Sequence, residues 1–197
     1  MRRSIGLLLG ALGFISVASA QGALDQKGPD RDWFGPAQAA ADIVLQASGA
    51  EIALLPAGMM VPDFKGSDLS KLFRYPGDAI VVSKLSGKQI LSALERSVSL
   101  YPSPNSSFLQ IAGMTVTFDP SKPANQRIVS VKVGDKPFDA RKDYRVVMPI
   151  SLARGGYGYF STWDKKAIVR TLDGVTLATL MKGKKSTTQT ARWKPVA

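Results

Sequence analysis

The sequence predicts a single α+β domain, and three observations lead to that prediction. A chain of 197 residues of which 45% are hydrophobic is long enough to bury one sizeable core. Helical patterns precede and follow a group of short strand patterns joined by turns that contain proline and glycine. The regular strand-helix-strand alternation of a doubly wound sheet is missing, so helices and strands are expected to segregate.

Each predicted element has a local signal. Pro36 marks the start of a helix over residues 37–47, and Ser86 with Gln89 makes a capping box that opens a helix over residues 87–100. Alternating apolar and polar residues predict a half-buried strand over residues 114–118. The other predictions are a buried strand at 51–55 ending in a turn at 56–58, a short helix at 67–73 capped by Ser67, strands at 79–83, 128–133 and 144–148, a glycine-rich loop at 154–158 and a last helix at 175–181.

The first twenty residues have the pattern of a signal peptide. Arg2 and Arg3 precede an apolar run over residues 5–17, and Ala18-Ser19-Ala20 resembles a cleavage site. We therefore expect export to the periplasm or the extracellular space, with a retained N-terminal anchor as the alternative. Residues 21–35 are then a flexible N-terminal extension and residues 36–197 the domain. No other stretch approaches the ~20 apolar residues of a membrane span, so none is predicted.

The composition excludes several kinds of catalytic site, because the sequence contains neither cysteine nor histidine. Disulfides, thiol nucleophiles, zinc fingers, Ser-His-Asp triads and HExxH zinc sites all require one of these residues. Two-metal phosphoesterase centres usually depend on imidazole ligands as well. We therefore predict no catalytic residue, no metal site and no cofactor in this chain.

The charge balance indicates an anionic partner without identifying it. Lysine and arginine number 26 against 15 acidic residues, which gives a net charge of +11. Nucleic acid, an anionic lipid, a polyanionic wall or a phosphorylated metabolite would each suit that charge. Lys182, Lys184 and Lys185 form one short cluster, with Arg192 and Lys194 nearby. No RNA-binding or helix-turn-helix signature accompanies it, so a solvated terminal segment is favoured over a specific nucleic-acid site.

Several local strings, in order and at similar spacing, resemble the C-terminal substrate-binding domain of the secreted 5'-nucleotidase and UDP-sugar hydrolase family. The resemblance implies a layered α/β/β/α domain with mixed sheets. It also implies a partner, since family members carry hydrolysis on an N-terminal metallophosphatase domain. The strings are Ala-Asp at 41–42, Ile-Ala-Leu-Leu-Pro-Ala-Gly at 52–58, Leu-Ser-Gly-Lys-Gln-Ile-Leu-Ser-Ala-Leu-Glu at 85–95, Phe-Leu-Gln-Ile-Ala-Gly at 108–113, Phe-Asp-Pro at 118–120, Arg-Ile-Val-Ser-Val at 127–131 and Leu-Ala-Arg-Gly-Gly-Tyr-Gly-Tyr at 152–159.

Carried over position by position, the resemblance implies that the nucleotide pocket is degenerate. Where the family has Asn-x-Gly-Gly-Ile-Arg, residues 56–61 read Pro-Ala-Gly-Met-Met-Val, so Pro56 replaces the amide and Val61 the guanidinium. Ile80 and Ser151 stand where two base-stacking rings are expected. The acid of the family's Gly-Gly-Asp-Gly string is replaced by Tyr157.

Two segments retain residues suited to binding. The first is the loop with Arg154, Gly155, Gly156, Tyr157 and Tyr159, in which a guanidinium could bind a carboxylate or phosphate beside two tyrosines. The second comprises Arg74 and Tyr75. The competing interpretations are a structural turn for the loop and a surface helix terminus for Arg74.

Three functions follow as hypotheses. The first is an exported accessory or ligand-binding module, not catalytic alone and completed by a separate metallophosphatase chain. The second is an autonomous hydrolase of nucleotides or related phosphoesters. The third is a basic structural protein of the envelope that adheres to anionic polymers.

Overall fold

The computed structural model describes residues 28–187 and 189–196. The predicted signal peptide and the first residues of the predicted extension, 21–27, lie outside them. The helices are α1 (Gly35–Ser48), α2 (Gly87–Ser97), α3 (Ile150–Ala153) and α4 (Leu177–Met181). The strands are β1 (Ile52–Pro56), β2 (Ala79–Ser86), β3 (Leu109–Ala112), β4 (Met114–Phe118), β5 (Ile128–Val133), β6 (Lys136–Pro137), β7 (Asp143–Pro149), β8 (Ile168–Thr176) and β9 (Trp193–Pro195).

The strands form two mixed sheets, which confirms the predicted α+β class. The larger sheet has five strands in the order β3-β1-β7-β2-β8, and the smaller has four in the order β6-β5-β4-β9. In the larger sheet β1 and β7 run parallel, whereas β2 is antiparallel to both of its neighbours. In the smaller sheet β9 joins β4 in parallel. Among the described residues, no helix has the length and apolar character needed to cross a membrane.

Two cores lie on the two faces of the larger sheet. Ala53 and Leu55 of β1 belong to the core covered by α1 and α4, whereas Ile52 and Leu54 belong to the core shared with α2 and the smaller sheet. This division follows from the period of a strand, in which successive side chains point to opposite faces. The helices and sheets are therefore stacked in layers, and the larger sheet is buried on both sides except at its edge strand β8.

Local signals predicted some elements well. The capping box is present: the Ser86 hydroxyl accepts from the Gln89 backbone N–H at 3.3 Å, and the Gln89 side chain accepts from the Ser86 N–H at 3.0 Å. The helix it opens ends at Ser97, before the predicted residue 100. The strand over residues 114–118 is also confirmed, with alternating burial.

Other elements differ from the predictions. The predicted helix at 67–73 is a single 3₁₀ turn at Leu69–Lys71, capped by the Asp68 carboxylate rather than by Ser67. The predicted helix at 175–181 begins at Leu177, because the two residues before it end β8. Strands β3, β6, β8 and β9 have no counterpart in the predictions. The side chains of β8 are mostly exposed, so that strand has no apolar alternation to reveal it.

Residues 28–34 are packed against the domain, although the sequence places them in a flexible extension. The fully buried Gln110 holds them. Its side-chain amide donates to the carbonyls of Pro29 and Asp32 at 2.9 and 2.7 Å, and its amide oxygen accepts from the Phe34 N–H at 3.1 Å. Gln110 lies on β3, so the larger sheet anchors this segment directly.

Candidate functional site

The candidate site is built around a tight turn at the end of β1. There the chain forms a 3₁₀ turn, Ala57–Met59, whose backbone is fixed from outside. The Ala57 N–H donates to the Phe108 carbonyl at 2.8 Å, and the Gly58 N–H donates to the Ser106 carbonyl at 2.9 Å. These bonds hold the turn against the segment that leads into β3.

Tyr157 lies directly on this turn. A Cβ atom added to Gly58 would come within 2.9 Å of the Tyr157 Cδ1 atom and 3.0 Å of the Ser106 carbonyl oxygen. Such approaches are too close for any side chain, so glycine is needed at position 58. The Tyr157 backbone has φ 56°, and its carbonyl accepts from the Ser107 hydroxyl at 2.7 Å. The tyrosine ring therefore packs directly against the Gly58 turn.

A polar cluster holds the hydroxyl end of Tyr157. The Ser151 hydroxyl donates to the Asp78 carboxylate at 2.5 Å, and the Ser151 N–H donates to the same oxygen at 3.4 Å. Burial raises the pKa of the Tyr157 hydroxyl; a hydrogen bond with Ser151 lowers it in part, and the nearby Asp78 carboxylate raises it. Tyr157 is thus a neutral phenol at physiological pH, packed by its ring and hydrogen-bonded at its tip.

The Gly58 turn also lines a pocket of about 150 Å³, and Tyr157 is not among the lining residues. Arg74 is one of its walls, placed there by a bond from the Arg74 N–H to the Met59 carbonyl at 2.9 Å. Within residues 28–187 and 189–196, the Arg74 guanidinium has no hydrogen-bond or ion-pair partner. Asp30 is an acidic wall, and its carboxylate lies 3.8 Å from the Arg31 guanidinium. The full lining is Pro29, Asp30, Ala57, Gly58, Met60, Pro62, Arg74 and Ser106.

Tyr159 is a core residue, which corrects its assignment as a ligand-binding candidate. Its side chain is 0% exposed. The hydroxyl donates to the Ser107 carbonyl at 2.6 Å, and the ring stacks on Trp163 with centroids 4.9 Å apart. The Arg96 guanidinium covers the ring at 5.6 Å. Tyr159 therefore anchors the loop and cannot contact a ligand.

The other predicted loop residues lie at different depths. Gly155 is buried against the backbone of Phe160, while Gly156 is half-buried. Arg154 is exposed, and among the described residues its side chain makes no hydrogen bond or ion pair. Tyr75 is 62% exposed. The structure thus places Tyr157 against the Gly58 turn and leaves Tyr75 and Arg154 at the surface.

The four positions inferred to have lost pocket residues do not share one cavity. Pro56 is buried in β1 opposite Leu109, and Ile80 is fully buried in the core beneath α1. The Val61 N–H donates to the Leu72 carbonyl at 2.9 Å. Only Ser151 reaches the candidate site, through Asp78. Ile80 is therefore a core residue and not a wall of the site.

Asp78, Ser106 and Asp30 are site residues that the sequence did not single out. Asp78 follows Tyr75-Pro76-Gly77, which predicts a turn. Nothing in that local sequence indicates that Asp78 would contact Ser151. Ser106 contributes its backbone, which no side-chain pattern reveals. Asp30 lies in residues 21–35, which the sequence predicts to be a flexible extension.

The residues present do not fit a two-metal centre. No group of three or more His, Cys, Asp or Glu side chains converges as a metal-binding set anywhere in the described part of the chain. The two acidic residues of the site are not neighbours in one cluster. Asp30 lines the Gly58 pocket, whereas Asp78 accepts a hydrogen bond from Ser151.

Comparisons of the sequence with known proteins agree on one family. The family model for the 5'-nucleotidase, C-terminal domain, matches residues 18–164. A 5'-nucleotidase-related protein of Glossina morsitans morsitans is 36% identical over 123 residues, covering 56% of this chain and 22% of that protein. Trifunctional nucleotide phosphoesterase protein YfkN of Bacillus subtilis (strain 168) is 31% identical over 124 residues, covering 58% of this chain and 8% of that protein.

Solved structures agree with this match. The 5'-nucleotidase precursor from Thermus thermophilus aligns with a TM-score of 0.72 and 27% identity, over 87% of this chain and 37% of that one. A putative 5'-nucleotidase from Staphylococcus aureus shares the fold, with a TM-score of 0.65 and 18% identity over 86% of this chain and 37% of that one. The chain spans well under half the length of these relatives. Because the family model covers more than half of the chain, the chain belongs to the 5'-nucleotidase C-terminal domain family.

Proposed function

We propose that the chain is an exported ligand-binding domain that acts together with a metallophosphatase domain and does not hydrolyse phosphoesters by itself. Family membership supports a role in nucleotide metabolism. None of the 197 residues is histidine, so imidazole ligands for a two-metal centre would have to come from outside them. The pattern of the first twenty residues supports export to the periplasm or the extracellular space.

The unpartnered Arg74 guanidinium in the wall of the Gly58 pocket carries the proposal of ligand binding. A guanidinium presents several N–H donors in a planar fork that suits phosphate and carboxylate oxygens. The pocket volume of about 150 Å³ is below the ~300–1,000 Å³ of typical small-molecule sites. The lining also contains Asp30, whose negative charge is offset by the Arg31 guanidinium at 3.8 Å. The pocket therefore suits a single phosphate or carboxylate group at Arg74 rather than a whole nucleotide.

Inorganic phosphate is expected to raise the melting temperature of the protein, because a ligand that binds only the folded state adds RT ln(1 + [L]/Kd) of stability. Arg74→Ala should weaken phosphate binding by more than tenfold, about 1.4 kcal/mol, since the guanidinium is the pocket's free cation. Its melting temperature without ligand should stay nearly unchanged, because the side chain is exposed. Thermal-shift titrations followed by calorimetry measure both effects.

Two further variants make this result specific. Lys136→Ala removes an exposed cation from the smaller sheet and should bind phosphate as the wild type does. Arg154→Ala tests whether the neighbouring loop contributes a second contact to phosphate. We expect this variant to keep its melting temperature, and weaker phosphate binding would assign that contact to Arg154. Equal binding by the wild type and Arg74→Ala would overturn the proposed site. Metal-dependent phosphatase activity of the purified chain alone would overturn the proposal that hydrolysis requires a metallophosphatase domain.

Adenosine monophosphate is expected to bind no better than about 1 mM, close to −4 kcal/mol. Base stacking contributes ~1–3 kcal/mol per base where rings sandwich it, and here Ile80 is in the core while Ser151 is bonded to Asp78. The Gly58 pocket is also too small to enclose the base and ribose. Calorimetry with the monophosphate, with inorganic phosphate as reference, checks this. Micromolar affinity would show that Tyr75 and Tyr157 rebuild a base site.

A further inference from the structure

Two chain segments that are far apart in sequence form one surface beside α4. The Leu69 N–H donates to the Lys184 carbonyl at 3.0 Å, and the Ser186 N–H donates to the Ser67 carbonyl at 2.6 Å. Asp68 and Lys185 pair as an antiparallel bridge. Residues 67–71 and 184–186 are therefore neighbouring stretches of backbone, and their side chains lie close together.

This arrangement brings Lys71 and Lys185 to Asp68, and Lys182 and Lys184 precede Lys185 on the same exposed segment; these four lysines are here called the lysine patch. All four are exposed, and the Lys71 side chain is 79% exposed. Asp68 is the acidic residue between them, with its carboxylate 4.0 Å from the Lys71 ammonium group. Four cations against one anion leave the patch strongly positive.

The carboxylate of Asp68 is already engaged. Hydrogen bonds from the Ser70 hydroxyl and the Ser70 N–H, at 2.7 and 3.1 Å, hold the pKa of Asp68 below its usual value, and the charges of Lys71 and Lys185 lower it further. Asp68 is thus ionised at neutral pH and offsets the charge of one lysine. The other ammonium groups have no ion-pair partner among the described residues.

Arg192, which the sequence groups with this cluster, has a different role. Its guanidinium donates to both carboxylate oxygens of Asp42, at 2.8 and 2.7 Å, and to the Ile111 carbonyl at 2.8 Å. Its side chain is only 18% exposed. Arg192 therefore ties the C-terminal segment to α1 and β3, while the lysine patch gains Lys71 in its place.

The patch lacks the apolar groups that insert into a bilayer or stack on nucleobases. The exposed large apolar side chains of the described residues are Tyr75, Leu100, Val129, Phe160, Val169 and Val196, and none lies in residues 67–71 or 182–186. Insertion into a bilayer surface uses apolar side chains, and binding of single-stranded nucleic acid uses aromatic rings for stacking. The patch offers ammonium groups, serine hydroxyls, backbone and the single carboxylate of Asp68.

We propose that the lysine patch binds a linear polyanion with one phosphate per repeat, such as a polyphosphate or a phosphodiester polymer of the cell envelope. Closely spaced lysines neutralise successive phosphates and release condensed counterions, which gives strong binding without recognition of any other group. The patch is separate from the Gly58 pocket and its function does not depend on that of Arg74. It would hold the exported domain at an anionic surface.

The test compares two fourfold variants of the whole chain. One replaces Lys71, Lys182, Lys184 and Lys185 with glutamine, and the matched control replaces Lys122, Lys132, Lys136 and Lys142, which are also exposed and lie in the smaller sheet and the turns that flank it. Binding to long-chain polyphosphate and to poly(glycerol phosphate) is measured by calorimetry over a range of salt concentrations. The preferred polymer distinguishes the two sources.

We expect the patch variant to lose at least tenfold in affinity and to lower the salt slope of log K by about 3, at ~0.7–0.9 per contact, while the control stays within a few-fold of wild type. Both variants should keep their melting temperature. Equal losses in the two variants would show that net charge alone is responsible and overturn the proposal. Tighter binding to single-stranded DNA or to anionic vesicles than to either polymer would overturn it as well. Arg74→Ala should bind the polymers normally.

Discussion

Replacing Trp193 with alanine is expected to lower the free energy of unfolding by about 3–5 kcal/mol, the range found when large aromatic side chains are removed from cores. Trp193 is 1% exposed and lies where the two sheets meet. Its indole N–H donates to the Leu109 carbonyl of β3 at 2.8 Å. Its ring contacts Phe108 and Phe118, with centroids 5.1 and 6.0 Å apart. The substitution therefore leaves both a cavity and an unpaired buried carbonyl.

Two matched variants separate these causes, measured by urea unfolding with circular dichroism. Trp193→Phe keeps most of the ring volume and loses the indole donor, so a loss of about 1–3 kcal/mol is expected. Trp33→Ala removes a half-buried tryptophan that packs on the same core and should cost clearly less than Trp193→Ala. A loss below about 1.5 kcal/mol for Trp193→Ala, well short of the usual range for a buried ring, would mean that β9 does not secure the junction of the sheets.

The difference between predicted and observed elements follows from the range of the interactions that stabilise them. The capping box of α2 and the alternation of β4 are encoded within a few residues, so both could be predicted from the sequence. Strand β9 has three residues and exists because it pairs with β4, more than seventy positions earlier in the chain. A pairing of that range leaves no local pattern, so no strand could be predicted there.

The same distinction explains which site residues were found. Tyr157 and Arg74 were identified from residue type and from resemblance to the family, and the structure places Tyr157 against the Gly58 turn and Arg74 in the wall of the pocket beside it. Tyr159 has equally suitable chemistry but is buried. Its partners Ser107 and Trp163 decide that burial, and Ser107 lies fifty-two positions away. Sequence reasoning identifies chemically capable residues, whereas tertiary packing decides which of them a ligand can reach.

Tyr157 stands where the resemblance implies an acid. Its ring lies on the Gly58 turn, and its hydroxyl joins the Ser151–Asp78 cluster. An acid at position 157 could not pack against the turn in this way and would lie close to the Asp78 carboxylate. In the function that we propose, the small pocket beside Arg74 is the part of this site that a ligand reaches.

Gly113 joins the two sheets at the corner between β3 and β4. Its backbone has φ 76°, and a Cβ atom there would lie 2.1 Å from the Glu51 carbonyl oxygen and 3.1 Å from the Leu45 side chain. The nearest atom belongs to the backbone just before β1, so it cannot move aside as a flexible side chain would. The Gly113 carbonyl also accepts from the Gly134 N–H at 2.9 Å, which fixes the corner to the smaller sheet.

Gly113→Ala is therefore expected to lower the free energy of unfolding by about 2–5 kcal/mol, combining ~1–2 kcal/mol for a left-handed alanine with ~1–3 kcal/mol for overpacking. Gly174→Ala is the matched control, because Gly174 has φ 69° and no atom within 4 Å of its added Cβ, so only the conformational cost of ~1–2 kcal/mol applies. Urea unfolding of both variants measures the difference, which isolates the steric contact with Glu51. If the two variants lose the same stability, the close approach of Gly113 to the Glu51 carbonyl does not constrain the corner, and the backbone there is free to shift.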